Sequence, residues 1–443
     1  MASSGLSGAV TLLHTACGAG ILAMPYAFKP FGLTLGFLMI VFCGLCSVSG
    51  LVIQGRVSKY VSSRNASFFA LSQITYPQLS VVFDLAIAVK CFGVGVSYLV
   101  VIGDLMPRIL GAFTSRSLLL NRNFHISIIM LFIISPLCFM KRLSSLRNAS
   151  IIAISSVAYL CVLVVVHCVW PSEEIKAIKG HVSVGRPAEP VSAIFSCFPI
   201  FVFAYTCHHN MFSIINELKD NSTKAIYRVS AASVSVAMVL YLAIGGSGYA
   251  TFGDHIAGNI ITLYPQSTST IVGRIAIVLL VMLAFPLQCH PARASIDHII
   301  HFVNSGAWKK ANEPERSNLL PHIVEDDDVL VEEGSPHQQV VVPLDGQRFA
   351  IITTAILVSS YLLAISVTSL ARVLAVVGAT GSTSIAFILP GIFGFKLIGS
   401  EYDVGQIPTS AKWLRLLSIS LACWGVFVLV TCLSATLLLG GGH

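Results

Sequence analysis

The chemistry that this sequence could carry begins at an interrupted helix near its start. Within residues 8–25 an apolar run is broken by Gly18 and Gly20, and Pro25 removes a backbone donor further on. Such a break exposes backbone amides that can hold a carboxylate, and carbonyls that can hold a cation or an ammonium group. His14 lies one turn before the break, and an imidazole can take up a proton near neutral pH. The stretch therefore predicts non-covalent binding of a small charged molecule.

A second stretch, 197–210, has the same character. Pro199 precedes the continuous polar run 205–210, which contains His208. Polar groups of this kind are costly against lipid, so we expect them to face a cavity or another helix. Broken backbone at membrane depth is tolerated only where it lines a cavity or is buried in protein. The alternative is that both stretches are ordinary helices whose small residues serve helix packing.

Lys90, Ser97 and Asp104 recur every seven residues, which places them along one stripe of a helix. A charge at the position of Lys90, near the middle of an apolar run, points to function. Lys90 could attract an acidic substrate side chain or take part in proton coupling; the structural alternatives are an ion pair with a carboxylate and snorkelling. The CxxC spacing of Cys43 and Cys46 has no His or acid beside it, so no metal site is predicted.

The composition shows what kind of protein must position these residues. Of the 443 residues, 11% are charged and 55% are hydrophobic, whereas soluble domains carry about 25% charged residues. The net charge of +7 comes from basic residues in separated loops, so a nucleic-acid surface is not indicated. These values exclude an ordinary soluble enzyme and a disordered chain. The sequence predicts an all-α polytopic membrane protein that spans the lipid bilayer.

Eleven runs of the chain are long and apolar enough to cross a bilayer, which takes about 20 residues per helix. We number them segments one to eleven: 7–28, 33–53, 81–105, 124–140, 151–169, 191–215, 229–249, 271–289, 349–369, 373–395 and 414–439. Seventeen Lys and Arg residues fall in loops on the N-terminal side and nine on the opposite side. By the positive-inside rule the N-terminus is cytosolic, and the odd number of segments makes the C-terminus lumenal.

One long stretch, 301–347, is polar and acidic instead of apolar. We expect a largely disordered cytosolic loop there, with phosphorylation at Ser317 or Ser335 as the regulatory alternative. The chain is thereby divided into residues 1–300 with segments one to eight, the loop, and residues 348–443 with segments nine to eleven.

Segments one and six occupy matching positions in two halves of five segments each. Paired interruptions at matching positions are the best sequence indication of a transporter binding site.

Several motifs make the chain similar to a known family. Residues 11–30 read TLLHTACGAGILAMPYAFKP and resemble the opening helix of the amino acid/auxin permease family, in particular of its fungal vacuolar amino acid transporters. Further matches are CFGVGVSYLVVIGDL at 91–105, INEL at 215–218 and FPLQCHPAR at 285–293. The resemblance covers nearly the whole chain outside the polar loop.

The resemblance implies a LeuT-like 5+5 inverted repeat plus one extra C-terminal helix. It also implies secondary transport of amino acids by alternating access, in the vacuolar (lysosome-like) membrane and usually toward the cytosol. No cofactor is implied.

The resemblance further implies that the substrate's α-carboxylate and α-amino group lie between the first break and the backbone of segment six. Tyr98 or Phe203 would supply an aromatic lid. The substrate-binding residues implied are Thr15, Ala16, Cys17, Gly18, Ala19, Gly20, Tyr98, Phe203, Ala204, Tyr205 and Thr206.

The sequence departs from sodium-coupled members of the family at two places. Those members have an Asn four residues before the first glycine of the motif, where this chain has His14. They also place a hydroxyl on segment eight, whereas residues 275–285 contain no Ser, Thr, Asn or acid. Since sodium needs several oxygen ligands, the sequence favours a proton as the coupling ion. The candidates for carrying it are His14, His208 and Lys90.

Two other functions remain open from the sequence. One is an amino acid sensor that uses the same fold with little or no transport, and the other is a sodium-coupled amino acid uptake carrier. Acidic or neutral amino acids are the expected substrates, and Lys90 favours acidic ones. Nothing in the membrane segments has the pattern of an enzyme active site.

Overall fold

The structure, a computed structural model, describes residues 4–62, 65–140, 149–185, 191–304, 346–403 and 406–439. All regular secondary structure in these ranges is helical, in agreement with the all-α prediction. The polar loop predicted at 301–347 lies almost wholly outside the described residues, so the division of the chain around it stays a prediction.

The α-helices of the described residues are numbered here in chain order. They are α1 Gly5–Ala16, α2 Gly20–Ala27, α3 Gly32–Val57, α4 Phe68–Thr75, α5 Ser80–Leu110, α6 Arg122–Ile129, α7 Ser135–Phe139, α8 Ala149–Val169, α9 Glu173–Ala177, α10 Val191–Ala204, α11 Met211–Glu217, α12 Thr223–Phe252, α13 Thr268–Asn304, α14 Gly346–Ser366, α15 Leu370–Val377, α16 Leu389–Leu397 and α17 Thr409–Leu439.

Nine continuous helical stretches in the described ranges are long and apolar enough to cross a membrane. A tenth crossing is formed if α1 and α2, which meet at an angle of 57°, are taken as one broken span. These ten correspond to all the predicted segments except segment six. Segment six consists of α10 and α11, which are separated by an irregular stretch and have 14 and seven residues. The total of eleven crossings therefore stays a prediction.

Serine side chains fix the first turn of several helices. Ser4, Ser67, Ser222 and Ser369 each accept a hydrogen bond from the backbone N–H three residues later. These bonds satisfy amides that have no partner within the helix. Short polar residues therefore set where α1, α4, α12 and α15 begin.

The long helices enclose the two interrupted ones. α5 and α13 pack along each other, while α12 packs against α1, α2 and α3. α10 lies against both α2 and α15. The two breaks predicted from the sequence are consequently held at the centre of the helical assembly.

Segment ten is irregular in its middle. Two π-helical stretches, Gly378–Ser382 and Ser384–Ile388, join α15 to α16, and widened turns of this kind often occur at functional sites. Glycines let this stretch approach its neighbours closely: a Cβ on Gly378 would lie 2.1 Å from the Pro199 carbonyl oxygen. A Cβ on Gly381 would lie 2.6 Å from the Cβ of Lys90. Segment ten thus packs directly on α10 and α5.

The connection between α9 and α10 lies across the ends of two membrane helices. The amides of Leu33 and Thr34 donate to the carbonyls of Ser183 and Val184, at 2.9 and 3.1 Å. The amide of His181 donates to the Asp254 carboxylate at 2.8 Å. Backbone hydrogen bonds therefore attach this connection to the start of α3 and to the turn after α12.

Candidate substrate site

The first break separates α1 from α2 at residues 17–19. The amide of Cys17 still bonds to Leu13, but the amide of Gly18 turns back to the carbonyl of Ala16 at 2.8 Å. The helix resumes with Gly20 in a new direction. The backbone polar groups of this short stretch are therefore free of a regular helical ladder, as predicted.

The second break runs from Ala204, where α10 ends, to Met211, where α11 begins. α3 supplies donors to its carbonyls: Ser47 Oγ donates to the Tyr205 carbonyl and Gln54 Nε2 to the His208 carbonyl, both at 3.3 Å. Buried carbonyls without a donor are costly. Two polar side chains of α3 thus stabilise the opened backbone of segment six.

The two breaks lie directly against each other. A Cβ on Gly20 would be 3.0 Å from the Cα of Ala204, which shows how closely the backbones approach. Asn210 Nδ2 donates to Thr15 Oγ1 at 2.9 Å across the same contact. The sequence-based pairing of segments one and six at their interruptions is reproduced in this geometry.

Tyr241 of α12 links the breaks. Its hydroxyl lies 3.0 Å from the Ala16 carbonyl oxygen and 2.6 Å from the Ala204 carbonyl oxygen. These are the last residues of α1 and α10, whose carbonyls lose their helical partners where each helix stops. Because a phenol has one proton, the two carbonyls share a single donor.

A narrow cavity lies beside the joined breaks, with room for roughly one water molecule. Its walls come from both breaks and from α5. They are formed by Thr15, Ala16, Gly18, Ala19, Lys90, Val94, Tyr98, Phe203 and Thr206. The enclosed shape is that of a closed site, in which a ligand larger than water requires the helices to move.

Lys90 enters this cavity from α5 and has no ion-pair partner among the described residues. Its Nζ lies 3.1 Å from each ring nitrogen of His209, and it donates to Gln288 Oε1 at 3.2 Å. Lys90 is 2% exposed and His209 is 8% exposed. Of the alternatives left open for Lys90, the structure shows polar contacts with an imidazole and an amide in place of a carboxylate.

The two histidines predicted to carry a proton lie near the breaks but do not line the cavity. His14 Nδ1 is 3.1 Å from Ser150 Oγ of α8. His208 Nε2 is 3.1 Å from the Ser47 carbonyl oxygen, so it donates to α3. Their roles in coupling stay predictions.

Seven of the eleven predicted substrate-binding residues form the cavity wall: Thr15, Ala16, Gly18, Ala19, Tyr98, Phe203 and Thr206. The other four, Cys17, Gly20, Ala204 and Tyr205, are buried at the contact between the breaks.

Sequence reasoning missed four polar residues of the site. His209 and Asn210 belong to the polar run of segment six, and Gln288 lies in the FPLQCHPAR motif, so each carried a signal that pointed only to its neighbourhood. Tyr241 carried none, because a single tyrosine in an apolar helix is unremarkable. No group of three His, Cys, Asp or Glu side chains among the described residues is placed to hold a metal ion.

A helical membrane protein with two interrupted helices meeting at a buried polar cavity has the architecture of a carrier for small solutes. The chain belongs to the family described as transmembrane amino acid transporter protein, whose profile matches residues 1–438. This confirms the resemblance found in the sequence and shows that the protein is a transporter and not an enzyme.

Named relatives are similar over nearly their whole length. Vacuolar amino acid transporter 6 of Saccharomyces cerevisiae is 56% identical, with 99% of both chains covered. Vacuolar amino acid transporter 5 of the same yeast is 50% identical over the same shares. A more distant relative, sodium-coupled neutral amino acid transporter 7 of Danio rerio, is 25% identical over 91% of this chain and 81% of its own.

Among solved structures, the chain shares its fold with MHP1, a nucleobase-cation-symport-1 family transporter in a closed conformation. The TM-score is 0.56 with 14% sequence identity, and the match covers 99% of this chain and 91% of MHP1. At this identity the similarity concerns the fold alone.

Proposed function

We propose that this protein is a secondary active transporter that moves amino acids across the vacuolar membrane by alternating access. The observation that carries this proposal is the meeting of two broken helices at one enclosed polar cavity. The family and the named vacuolar relatives support both the substrate class and the membrane. The ten crossings described, with segment six as the eleventh, are compatible with a LeuT-like 5+5 repeat followed by one extra helix.

In this proposal the substrate's α-carboxylate and α-amino group bind at the break of segment one. The freed amides and carbonyls near Gly18 supply the complementary polar groups. Phe203 of α10 and Tyr98 of α5 both line this cavity and would close over the substrate. The remaining predicted residues hold the two breaks together.

We propose that the coupling ion is a proton, that transport runs from the vacuole to the cytosol, and that the N-terminus is cytosolic and the C-terminus lumenal. The absence of hydroxyl, amide and acidic side chains from residues 275–285 argues against a sodium site completed by segment eight. His14, His208 and Lys90 are the candidate proton carriers. Acidic and neutral amino acids are the expected substrates.

Sodium-coupled uptake is the second candidate, and it is favoured by the similarity to the Danio rerio relative, which is named a sodium-coupled transporter. A further alternative, which the sequence left open, is an amino acid sensor with little or no transport.

Purified protein in proteoliposomes separates these functions. Flux of radiolabelled glutamate and glutamine is measured with a pH gradient and a sodium gradient imposed one at a time. We expect flux that follows the pH gradient and is unaffected by sodium. Flux that requires sodium would overturn the proton assignment, and binding of either amino acid without any flux would favour a sensor.

A further inference from the structure

Two basic side chains, Lys90 of α5 and His209 of the second break, face each other in the centre of the protein. The Nζ of Lys90 lies 3.1 Å from both ring nitrogens of His209. Because Nζ is equidistant from the two ring nitrogens, the contact is a close approach of two basic groups and not a hydrogen bond directed at one lone pair. A protonated imidazole would place a second positive charge at this distance. The contact is therefore compatible with one positive charge on the pair and opposed by two.

The surroundings supply no negative charge to hold a second proton. The ionisable neighbours are Cys91 on α5, and Cys207 and His208 on the break. Tyr98 approaches from the cavity side through Gln288, and the stretch of segment ten over Lys90, Gly378–Ser382, contains no ionisable residue. None of the Asp and Glu side chains in the described ranges pairs with Lys90 or His209.

Only Lys90 of this pair opens onto the cavity. The α-carboxylate proposed to bind near Gly18 would lie in the same cavity as Lys90, attract its ammonium group and offset its charge. Repulsion of a second positive charge at 3.1 Å would then fall, and His209 would be free to take up a proton. Withdrawal of the carboxylate would reverse both changes.

We propose that Lys90 and His209 form one proton-coupling unit, in which binding of the substrate carboxylate at Lys90 admits the transported proton to the imidazole of His209. The proposal rests on the proton coupling proposed above and assigns it to a residue pair that excludes His14. Gln288 is a positioning residue, since it holds the Lys90 ammonium group through its Oε1. The proton moves onto a ring nitrogen lone pair, and no covalent bond to substrate is made.

The central test replaces the imidazole by a group of similar reach that does not titrate. His209→Gln keeps an amide oxygen that can accept from Lys90. In proteoliposomes loaded with glutamate or glutamine, whichever the wild type exchanges faster, we expect pH-driven accumulation to fall at least about tenfold. Substrate-for-substrate exchange without a pH gradient needs no net proton movement, so it continues.

Two comparison variants accompany His209→Gln. His167→Gln makes the same change on α8, where the ring stacks on Tyr264 away from the cavity. We expect this control to keep both pH-driven accumulation and substrate exchange. His14→Asn tests the alternative that His14 carries the proton. If pH-driven accumulation is lost in His14→Asn but stays within about twofold of the wild-type value in His209→Gln, the proposal is overturned. A wild type without pH-driven flux would instead overturn the proton coupling itself, and with it this unit.

If His209→Gln shows no exchange at all, a proton-uptake measurement on the wild-type protein tests the proposal instead. Addition of the same amino acid to detergent-solubilised wild type in weakly buffered solution should take up about one proton for each substrate bound. His14→Asn should show the same uptake. Its absence in the wild type, or its loss in His14→Asn, would overturn the assignment to Lys90 and His209.

Discussion

At the centre of the site, Tyr205 and Tyr241 stand edge to face with ring centroids 5.0 Å apart, yet their hydroxyls differ. The hydroxyl of Tyr241 contacts the carbonyls of Ala16 and Ala204. The hydroxyl of Tyr205 is buried and has no hydrogen-bond partner among the described residues. Although the two rings are in contact, the hydroxyl group of Tyr241 therefore contributes hydrogen bonds to the site and that of Tyr205 does not.

We expect Tyr241→Phe to destabilise the protein by about 1–3 kcal/mol, because the buried Ala204 carbonyl loses its donor and the Ala16 carbonyl keeps only the Gly18 amide. Tyr205→Phe is the matched control: it removes a hydroxyl that donates to nothing, so its effect should be neutral or slightly stabilising. Thermal unfolding of the detergent-purified variants measures the difference, and exchange flux reports on the site. Equal melting temperatures for the two variants would contradict the linking role of Tyr241.

At the scale of elements, α3 supports the second break from one face only. Ser47 Oγ reaches across to the Tyr205 carbonyl, while Ser49 Oγ bonds to Leu45 of its own helix. Gln54 repeats the cross-helix contact two turns later at the His208 carbonyl. The face of α3 that carries Ser47 and Gln54 therefore acts as a lateral partner for the opened backbone.

Ser47→Ala should lower the stability of the carrier by about 1 kcal/mol and reduce exchange flux, since the Tyr205 carbonyl loses its donor. Ser49→Ala makes the same change two residues away and should leave both unchanged. Thermal melting and exchange flux are compared for the two variants at equal amounts of reconstituted protein. Equal losses in both would show that α3 contributes packing and not hydrogen bonding.

The elements also show how far sequence reasoning extends. The first break was predictable, because Gly18 and Gly20 interrupt the helix there. The second was indicated by the polar run 205–210, since Pro199 lies within α10 and the helix continues to Ala204. The partners of the breaks were not, because Tyr241 and Gln288 reach them through tertiary packing that local patterns do not encode. Lys90 was recognised as a buried charge, but its contact with His209 depends on how α5 meets segment six.

At the scale of the whole molecule, the arrangement across the membrane is predicted from the distribution of Lys and Arg. The sequons at Asn65, Asn148 and Asn221 all fall in loops predicted to be cytosolic, where no glycan is added. The connection between α9 and α10 is predicted to be lumenal. Its His181 is exposed, and its attachment to Asp254 uses the backbone amide.

His181→Asn completes a sequon with Val182 and Ser183 and should therefore be glycosylated in yeast, while the wild type should carry no N-glycan. Endoglycosidase treatment and gel mobility measure this. The double variant with Ser183→Ala removes the sequon again and controls for a mobility change unrelated to glycan. A glycan on the wild type, with no additional glycan on His181→Asn, would reverse the predicted orientation.

α13 is 37 residues long and contains Pro286 and Pro291. A helix of this length extends about 55 Å, well beyond a bilayer core of about 30 Å. The part after Pro286 is about 27 Å long, so a 10° bend at that proline would sweep its end through about 5 Å. A small change of angle at Pro286, two residues from Gln288 of the site, would therefore produce a larger displacement at the end of α13. A spectroscopic label at the exposed Val303 would magnify small rearrangements around Gln288 into distances that can be followed from the aqueous side during turnover.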